Sequence, residues 1–357
     1  MHRNFWLVKN ALRLILLLFA CKGFAQNPVG GSAAISFLNN PFSARVQALG
    51  GINQALFGDD VSLGYTNPSA WNKSMHKTVC FGTSFLPGGI NSGNVTYAHH
   101  FDKRATFGFG MNYMAYGNIP RTDESGNEIG RMNAAEFAWY SGSAYHFAKI
   151  LSVGANAKLF YSQLAEYSSV GMAADIAFSV NDSAHRISAS LVATNIGGQF
   201  KPFRNKNYEM LPFDLRLGLA FGFKGFPLRF HFTMHDLTRW NIRYNDPNAS
   251  ANDNLFDQNN SAAKKDIGDE IFRHIIIGAE ANIKNVVRLQ LAYNHQRRQE
   301  LKQDNVRGIA GISFGLGIHI KYLDLQYALN PAALGKTTNH LTFSLNIAKL
   351  PKRKKTS

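Results

Sequence analysis

A two-residue alternation between apolar and small or polar side chains runs from about Val79 to Ile347. Between Phe213 and Phe223 every odd-numbered position is Phe or Leu, and every position between them is Asp, Arg, Gly or Ala. Because successive side chains of a β-strand point to opposite faces, this period predicts strands with one apolar face. Many such stretches of roughly ten residues, without an apolar run long enough for a membrane helix, predict a transmembrane β-barrel.

The alternating segments predict an all-β fold, a transmembrane antiparallel β-barrel of about 14 strands. The barrel is expected to occupy residues 76–348. The segments lie near residues 76–86, 93–101, 105–116, 134–147, 150–163, 170–180, 185–196, 212–224, 227–237, 272–283, 286–299, 307–320, 322–330 and 339–348.

The connections between these segments alternate in length. Gaps after even-numbered strands are short, such as 148–149 and 284–285, whereas gaps after odd-numbered strands are usually longer, such as 117–133, 197–211 and 238–271. Bacterial barrels have short periplasmic turns and longer extracellular loops. The pattern therefore predicts an outer-membrane barrel, and it argues against a secreted soluble β-protein.

The N-terminal region precedes the first strand and divides into a leader and a second segment. Residues 1–25 have basic positions, an apolar core and small residues before Gln26, which predicts a secretory signal peptide cleaved after Ala25. Lipidation at Cys21 is the alternative. Residues 26–75 are predicted to form a plug in the lumen, because about 14 strands enclose more space than wall side chains fill.

Composition limits the classes of partner. The chain has 17% charged residues and 27 Phe, and part of its net charge of +15 lies in the leader and in the basic tail 349–357. That tail is expected to be periplasmic. Since the chain is exported, nucleic acid is not a predicted partner.

Two blocks of motifs carry a family resemblance. Residues 43–51 (SARVQALGG), followed by Asp59-Asp60 and by 67–70 (NPSA), resemble the N-terminal block of FadL-like and PorV-like barrels. Residues 236–240 (DLTRW) and 293–301 (YNHQRRQEL) resemble one branch of that group more closely, the PorQ family of the Bacteroidetes type IX secretion system. The resemblance covers nearly the whole mature chain.

The PorQ resemblance implies a non-enzymatic outer-membrane component of an attachment complex with PorU-like, PorV-like and PorZ-like proteins. Such a component holds PorZ at the cell surface, so that secreted cargo is processed and joined to anionic lipopolysaccharide. No cofactor is implied. The shared N-terminal block supports an alternative function, a FadL-type channel for hydrophobic small molecules.

The external loops hold the candidate contact residues for a partner or for lipopolysaccharide. Arg297 and Arg298 are expected to close an outward-running strand near Lys302 and Arg307. This basic cluster suits phosphate or carboxylate groups, or it pairs with neighbouring acids of the chain. The long loop adds three further candidates: Asp246, Asn248 and Phe256.

Catalytic and metal motifs are weak in this sequence. Ser74 and Lys77 fit the S-x-x-K pattern, but the S-D-N and K-T-G elements that such a site requires are absent. His231 and His235 would lie about 13 Å apart along a strand, which is too far for one zinc ion. We therefore predict no catalytic, cofactor or metal residue.

Overall fold

The computed structural model describes residues 33–102, 104–242, 267–301, 308–332 and 335–351. Fourteen antiparallel strands pair in sequence order and close into a barrel. They are β1 Thr78–Phe85, β2 Asn91–Asp102, β3 Ala105–Thr122, β4 Glu128–His146, β5 Leu151–Leu164, β6 Tyr167–Asp182, β7 Ile187–Lys201, β8 Asp214–Gly222, β9 Leu228–Met234, β10 Ile275–Ile283, β11 Val287–Asn294, β12 Ile312–Ile320, β13 Leu323–Pro331 and β14 Thr337–Asn346.

Closure occurs where β1 pairs with β14, from Thr78 opposite Asn346 to Phe85 opposite Asn339. A closed sheet leaves no unpaired backbone edge, which is the condition for crossing hydrocarbon with strands. The prediction of a 14-stranded antiparallel barrel is confirmed. Among the described helices, none is long and apolar enough to span a membrane.

The two faces of the wall follow the alternation in the sequence. Outward side chains are apolar and about half exposed, for example Phe81 at 50% and Leu341 at 47%. Side chains at the alternate, inward positions, such as Arg216, His231 and Arg288, are buried. The inside of this barrel is thus polar and the outside apolar, as a lipid environment requires.

Turn lengths also follow the prediction at one end of the barrel. Every connection after an even-numbered strand is short, and we call the end that holds these connections the short-turn end.

The predicted loop 117–133 is wrong in extent, because β3 continues to Thr122 and β4 begins at Glu128. Ile119 still pairs with Met132 there. Beyond the hydrocarbon neither face of a strand must be apolar, so strand pairing continues after the alternation ends. The predicted loop 197–211 is shortened similarly, since β7 continues to Lys201.

Residues 33–77 form a compact N-terminal segment that contacts lumenal side chains around the barrel. The predicted leader and most of the basic tail lie outside the described residues. The helices are α1 Ala44–Ala48, α2 Leu63–Thr66, α3 Ile267–Arg273 and α4 His295–Glu300, with 3₁₀-helices at Ser36–Asn39, Pro68–Ala70, Lys73–Met75, Pro87–Gly89 and Ile347–Lys349.

Apolar packing holds the N-terminal segment against the wall. Phe37, Trp71 and Met75 are fully buried in a cluster that includes wall residues such as Phe160. The Trp71 ring lies against Gly108 of β3, where an added Cβ would come within 2.2 Å of the ring. A glycine at this wall position therefore makes room for the largest side chain of the segment.

Buried ion pairs complete the attachment. Arg45 of α1 donates to both carboxylate oxygens of Glu280 on β10, at 2.8 and 2.7 Å. Elsewhere on the wall, between β5 and β6, Lys158 lies 2.8 Å from Asp175 and 4.4 Å from the ring centroid of Tyr65 in α2. Buried charges are stable only when paired, so these contacts fix where the segment can lie in the lumen.

Candidate functional site: a cavity between the N-terminal segment and the wall

A cavity of about 180 Å³ lies between the N-terminal segment and the wall at the end of the barrel opposite the short-turn end, where strands such as β1 and β13 finish. We call it the loop-end cavity. One part of its lining is apolar and the other polar. The lining residues are Asn40, Pro41, Gln47, Leu86, Ser92, Met114, Arg297, Leu301, Asn330, Pro331, Ala332, Thr338 and His340.

Arg297 reaches this cavity because the chain turns into a helix after β11. The sequence predicted a strand over 286–299, but the strand ends at Asn294, whose side chain accepts a hydrogen bond from the Arg297 backbone N–H at 3.0 Å. This is an N-cap, and residues His295–Glu300 form α4. The prediction that Arg297 and Arg298 close an outward-running strand is therefore wrong.

The Arg297 guanidinium lies over a glycine of the N-terminal segment. A Cβ on Gly51, which has φ +87°, would lie 2.9 Å from Arg297 Nη2. Among the described residues, none forms a hydrogen bond or ion pair with this guanidinium. Burial lowers the pKa of Arg297, and the charge of Glu300 opposes that shift. Since arginine nevertheless stays protonated, the cavity contains a positive charge with free donors.

The predicted basic cluster is divided by α4. Arg298 donates through Nη1 to the carbonyl oxygen of Gly308 and is directed away from the cavity. Glu300, one of the acids next to this basic cluster, accepts a hydrogen bond from the side-chain amide of Gln296 at 2.8 Å. The other predicted contact residues lie outside the described residues, namely Lys302, Arg307, Asp246, Asn248 and Phe256.

Other polar side chains of the cavity have hydrogen-bond partners within the barrel. The side-chain amides of Asn330 and Gln47 are 3.0 Å apart, and His340 Nδ1 lies 2.7 Å from Ser84 Oγ. Since no described residue pairs with the Arg297 guanidinium, the cavity fits a small molecule that has an apolar body and one anionic or hydrogen-bond-accepting group. No pattern in the sequence indicates Asn330 or His340, because barrel closure brings them to the segment.

Two other places in the barrel have features of a binding site. Asp59, His319 and Asp324 have ligand atoms within 4.8 Å of one another. However, Arg288 lies 2.6 Å from Asp324 and 3.7 Å from Asp59, so a protein cation already balances these carboxylates. The second place is a groove of about 460 Å³ on the outer face of β12, β13, β14 and β1. It faces hydrocarbon, where lipid chains fill it.

Comparison with known proteins places the fold. No family model and no curated protein sequence matches the chain. A solved TodX mutant, a monoaromatic hydrocarbon channel, aligns with a TM-score of 0.51 and 12% identity over 86% of this chain and 99% of that chain. The toluene transporter TodX of Pseudomonas putida gives 0.49 and 11%, over 85% and 96%. A Pseudomonas aeruginosa FadL homologue gives 0.46 and 9%, over 90% and 98%.

These similarities concern the fold, at identities too low to carry function. The chain has the same barrel architecture as the solved TodX mutant. The finer assignment to the PorQ family finds no support among these structures. The comparisons favour an integral outer-membrane barrel.

Proposed function

We propose that this barrel is an outer-membrane passage for small hydrophobic molecules, including those with one anionic group. The loop-end cavity is the observation that carries the proposal. It combines apolar residues such as Met114 and Leu86 with the guanidinium of Arg297, which pairs with no residue in the described part of the chain. The TodX structure named as a monoaromatic hydrocarbon channel has a comparable fold, which is compatible with this function.

Passage beyond the cavity requires movement of the N-terminal segment. Val46 and Leu49 are almost completely buried below the cavity, and α1 contacts β11 to β14. In the proposed cycle, a ligand binds in the loop-end cavity first. The segment then shifts away from the wall and opens a path to the short-turn end.

Replacing Arg297 with glutamine is expected to weaken binding of benzoate about 10- to 100-fold and to leave benzyl alcohol binding nearly unchanged. A hydrogen bond to a charged group is worth roughly 1.5–3 kcal/mol, and each 1.4 kcal/mol is about tenfold. Binding is measured by titration calorimetry on the barrel in nanodiscs. Arg298→Gln is the matched control, since Arg298 is directed away from the cavity.

Equal loss of benzoate affinity in Arg298→Gln would mean that general loop charge, not the cavity, attracts the carboxylate. Absence of binding by either ligand to the unmodified barrel would remove the proposed function itself.

A second candidate is the anchoring role in a type IX attachment complex. Residues 236–240 and 293–301 favour it through their resemblance to PorQ, and the extended β3–β4 hairpin offers surface for a protein partner. We expect an affinity pull-down from gently solubilised outer membranes to recover PorZ-like and PorU-like proteins under this proposal. A barrel that elutes alone, with partners detected in the input, would count against it.

A further inference from the structure

The short-turn end carries an unusual concentration of lysine. A lysine lies in five of the six short turns, one precedes β1, and one follows β14. Lys103, in the turn after β2, lies outside the described residues. The other six lysines are exposed, and none of their ammonium groups forms a hydrogen bond or ion pair with a described residue. We call this set the lysine rim: Lys77, Lys149, Lys224, Lys284, Lys321 and Lys349.

Acidic side chains at the same end do not neutralise the lysine rim. Among the described side chains there, Asp182 lies 2.7 Å from His185 Nδ1. Asp59 and Asp324 share the single guanidinium of Arg288, so together these three side chains leave one negative charge against the six lysines. The positive charge of the rim is therefore left for a partner outside the chain.

The opposite end has a different charge pattern. On the β3–β4 hairpin, exposed Arg121 and Arg131 are interspersed with Glu124 and Glu128. Mixed signs at one end and lysines at the other make the charge asymmetric along the barrel axis.

Apolar side chains adjoin the lysine rim directly. Phe223 and Phe226 flank Lys224, and both are about half exposed. Ile283 precedes Lys284, and Ile320 precedes Lys321, again with exposed side chains. A lysine at the edge of an apolar belt lays its stem along the belt and its ammonium at the level of the lipid phosphates.

We propose that the lysine rim binds the phosphate groups of anionic phospholipids in the adjoining leaflet. Basic groups next to a membrane attract anionic lipid. The continuity of the rim with the apolar belt favours lipid over a soluble acidic protein, because each lysine is placed at the membrane boundary around the circumference. The short turns are predicted to face the periplasm, so the adjoining leaflet is the phospholipid one.

The test uses the barrel in nanodiscs that contain equal amounts of phosphatidylglycerol and phosphatidylcholine. Lipids retained after release into detergent are counted by native mass spectrometry. The test variant carries K149Q, K224Q, K284Q and K321Q. The matched control carries R121Q, R131Q, K206Q and K336Q, four exposed basic residues at the other end.

The unmodified barrel and the loop-end control are expected to retain at least threefold more phosphatidylglycerol than phosphatidylcholine. The rim variant is expected to retain the two lipids equally. High salt should also remove the preference, because it screens exposed charges. Equal retention by the unmodified barrel, or the same loss in both variants, would overturn the proposal. A preference that persists in a correctly folded rim variant would overturn it as well.

Discussion

Replacing Arg45 with methionine is expected to lower the free energy of unfolding by about 3–5 kcal/mol. Arg45 forms two hydrogen bonds to Glu280, and both side chains are less than a tenth exposed. The substitution leaves the Glu280 carboxylate buried without its partner, and an uncompensated buried charge is the costly outcome. Equilibrium urea unfolding in phospholipid vesicles, followed by tryptophan fluorescence, measures the change.

Two further variants serve as controls for the Arg45→Met measurement. The double replacement Arg45→Met with Glu280→Met removes both charges and should recover most of the lost stability. Arg273→Met breaks the more accessible pair with Asp269 in α3, at 2.8 Å, and should cost less than about 1 kcal/mol. A single Arg45 variant as stable as the unmodified barrel would show that the pair does not hold the N-terminal segment.

The strands could be predicted from the sequence because lipid outside and a polar lumen inside impose an unbroken two-residue period. Residues 213–223 show this most clearly, and β8 occupies Asp214–Gly222. The period is informative only within the hydrocarbon. Beyond it, β3 and β4 remain paired without the pattern, so the extent of their hairpin could not be predicted.

The loop-end cavity could be predicted from the sequence only in part. The charge of Arg297 makes it a candidate contact residue in the sequence. Its position in the structure, however, depends on the Asn294 cap and on Gly51 beneath the guanidinium. The cap could have been found, because an asparagine before a run of strong helix formers is a typical helix start. The positions of Asn330 and His340 at the cavity could not be predicted from the sequence. They depend on the strand register and on where the N-terminal segment lies in the lumen.

The buried charges of the wall are more predictable from the sequence than the loop-end cavity and less predictable than the strands. Lys158 and Asp175 occupy inward positions of neighbouring strands, and the alternation alone assigns both to the lumen. Their pairing depends on register and on side-chain reach, since their backbones are not directly opposite. The sequence therefore indicates that the lumen holds charges of both signs, and the structure supplies the partners.

A covalent link between the N-terminal segment and the wall is expected to abolish transport. Ala48 of α1 and Ala328 of β13 are fully buried in one apolar cluster. Contacting side chains lie within about 4.5 Å, near the Cβ spacing of roughly 3.5–4.5 Å that a disulfide requires. The variant is Ala48→Cys with Ala328→Cys, in a background where Cys80 is replaced by serine.

A second crosslink controls for a general effect of oxidation. Cys80 of β1 is paired with Ser344 of β14 in the strand register. Ser344→Cys therefore permits a disulfide with native Cys80 across the closure of the wall, without attaching the segment. Oxidised Ser344→Cys should transport as the reduced form does, because the proposed movement is that of the segment and not of the wall.

The most direct test is uptake of toluene vapour into reconstituted liposomes that have a lipopolysaccharide outer leaflet and enclose a toluene-oxidising enzyme, measured as product formed over protein-free liposomes of the same composition. The account predicts uptake by the reduced Ala48→Cys, Ala328→Cys barrel, at least a tenfold lower rate after oxidation, and recovery on reduction. Uptake no faster than in protein-free liposomes, by both this variant and the unmodified barrel, would contradict the passage for hydrophobic molecules. An undiminished rate in the oxidised, fully crosslinked form would contradict the movement of the N-terminal segment.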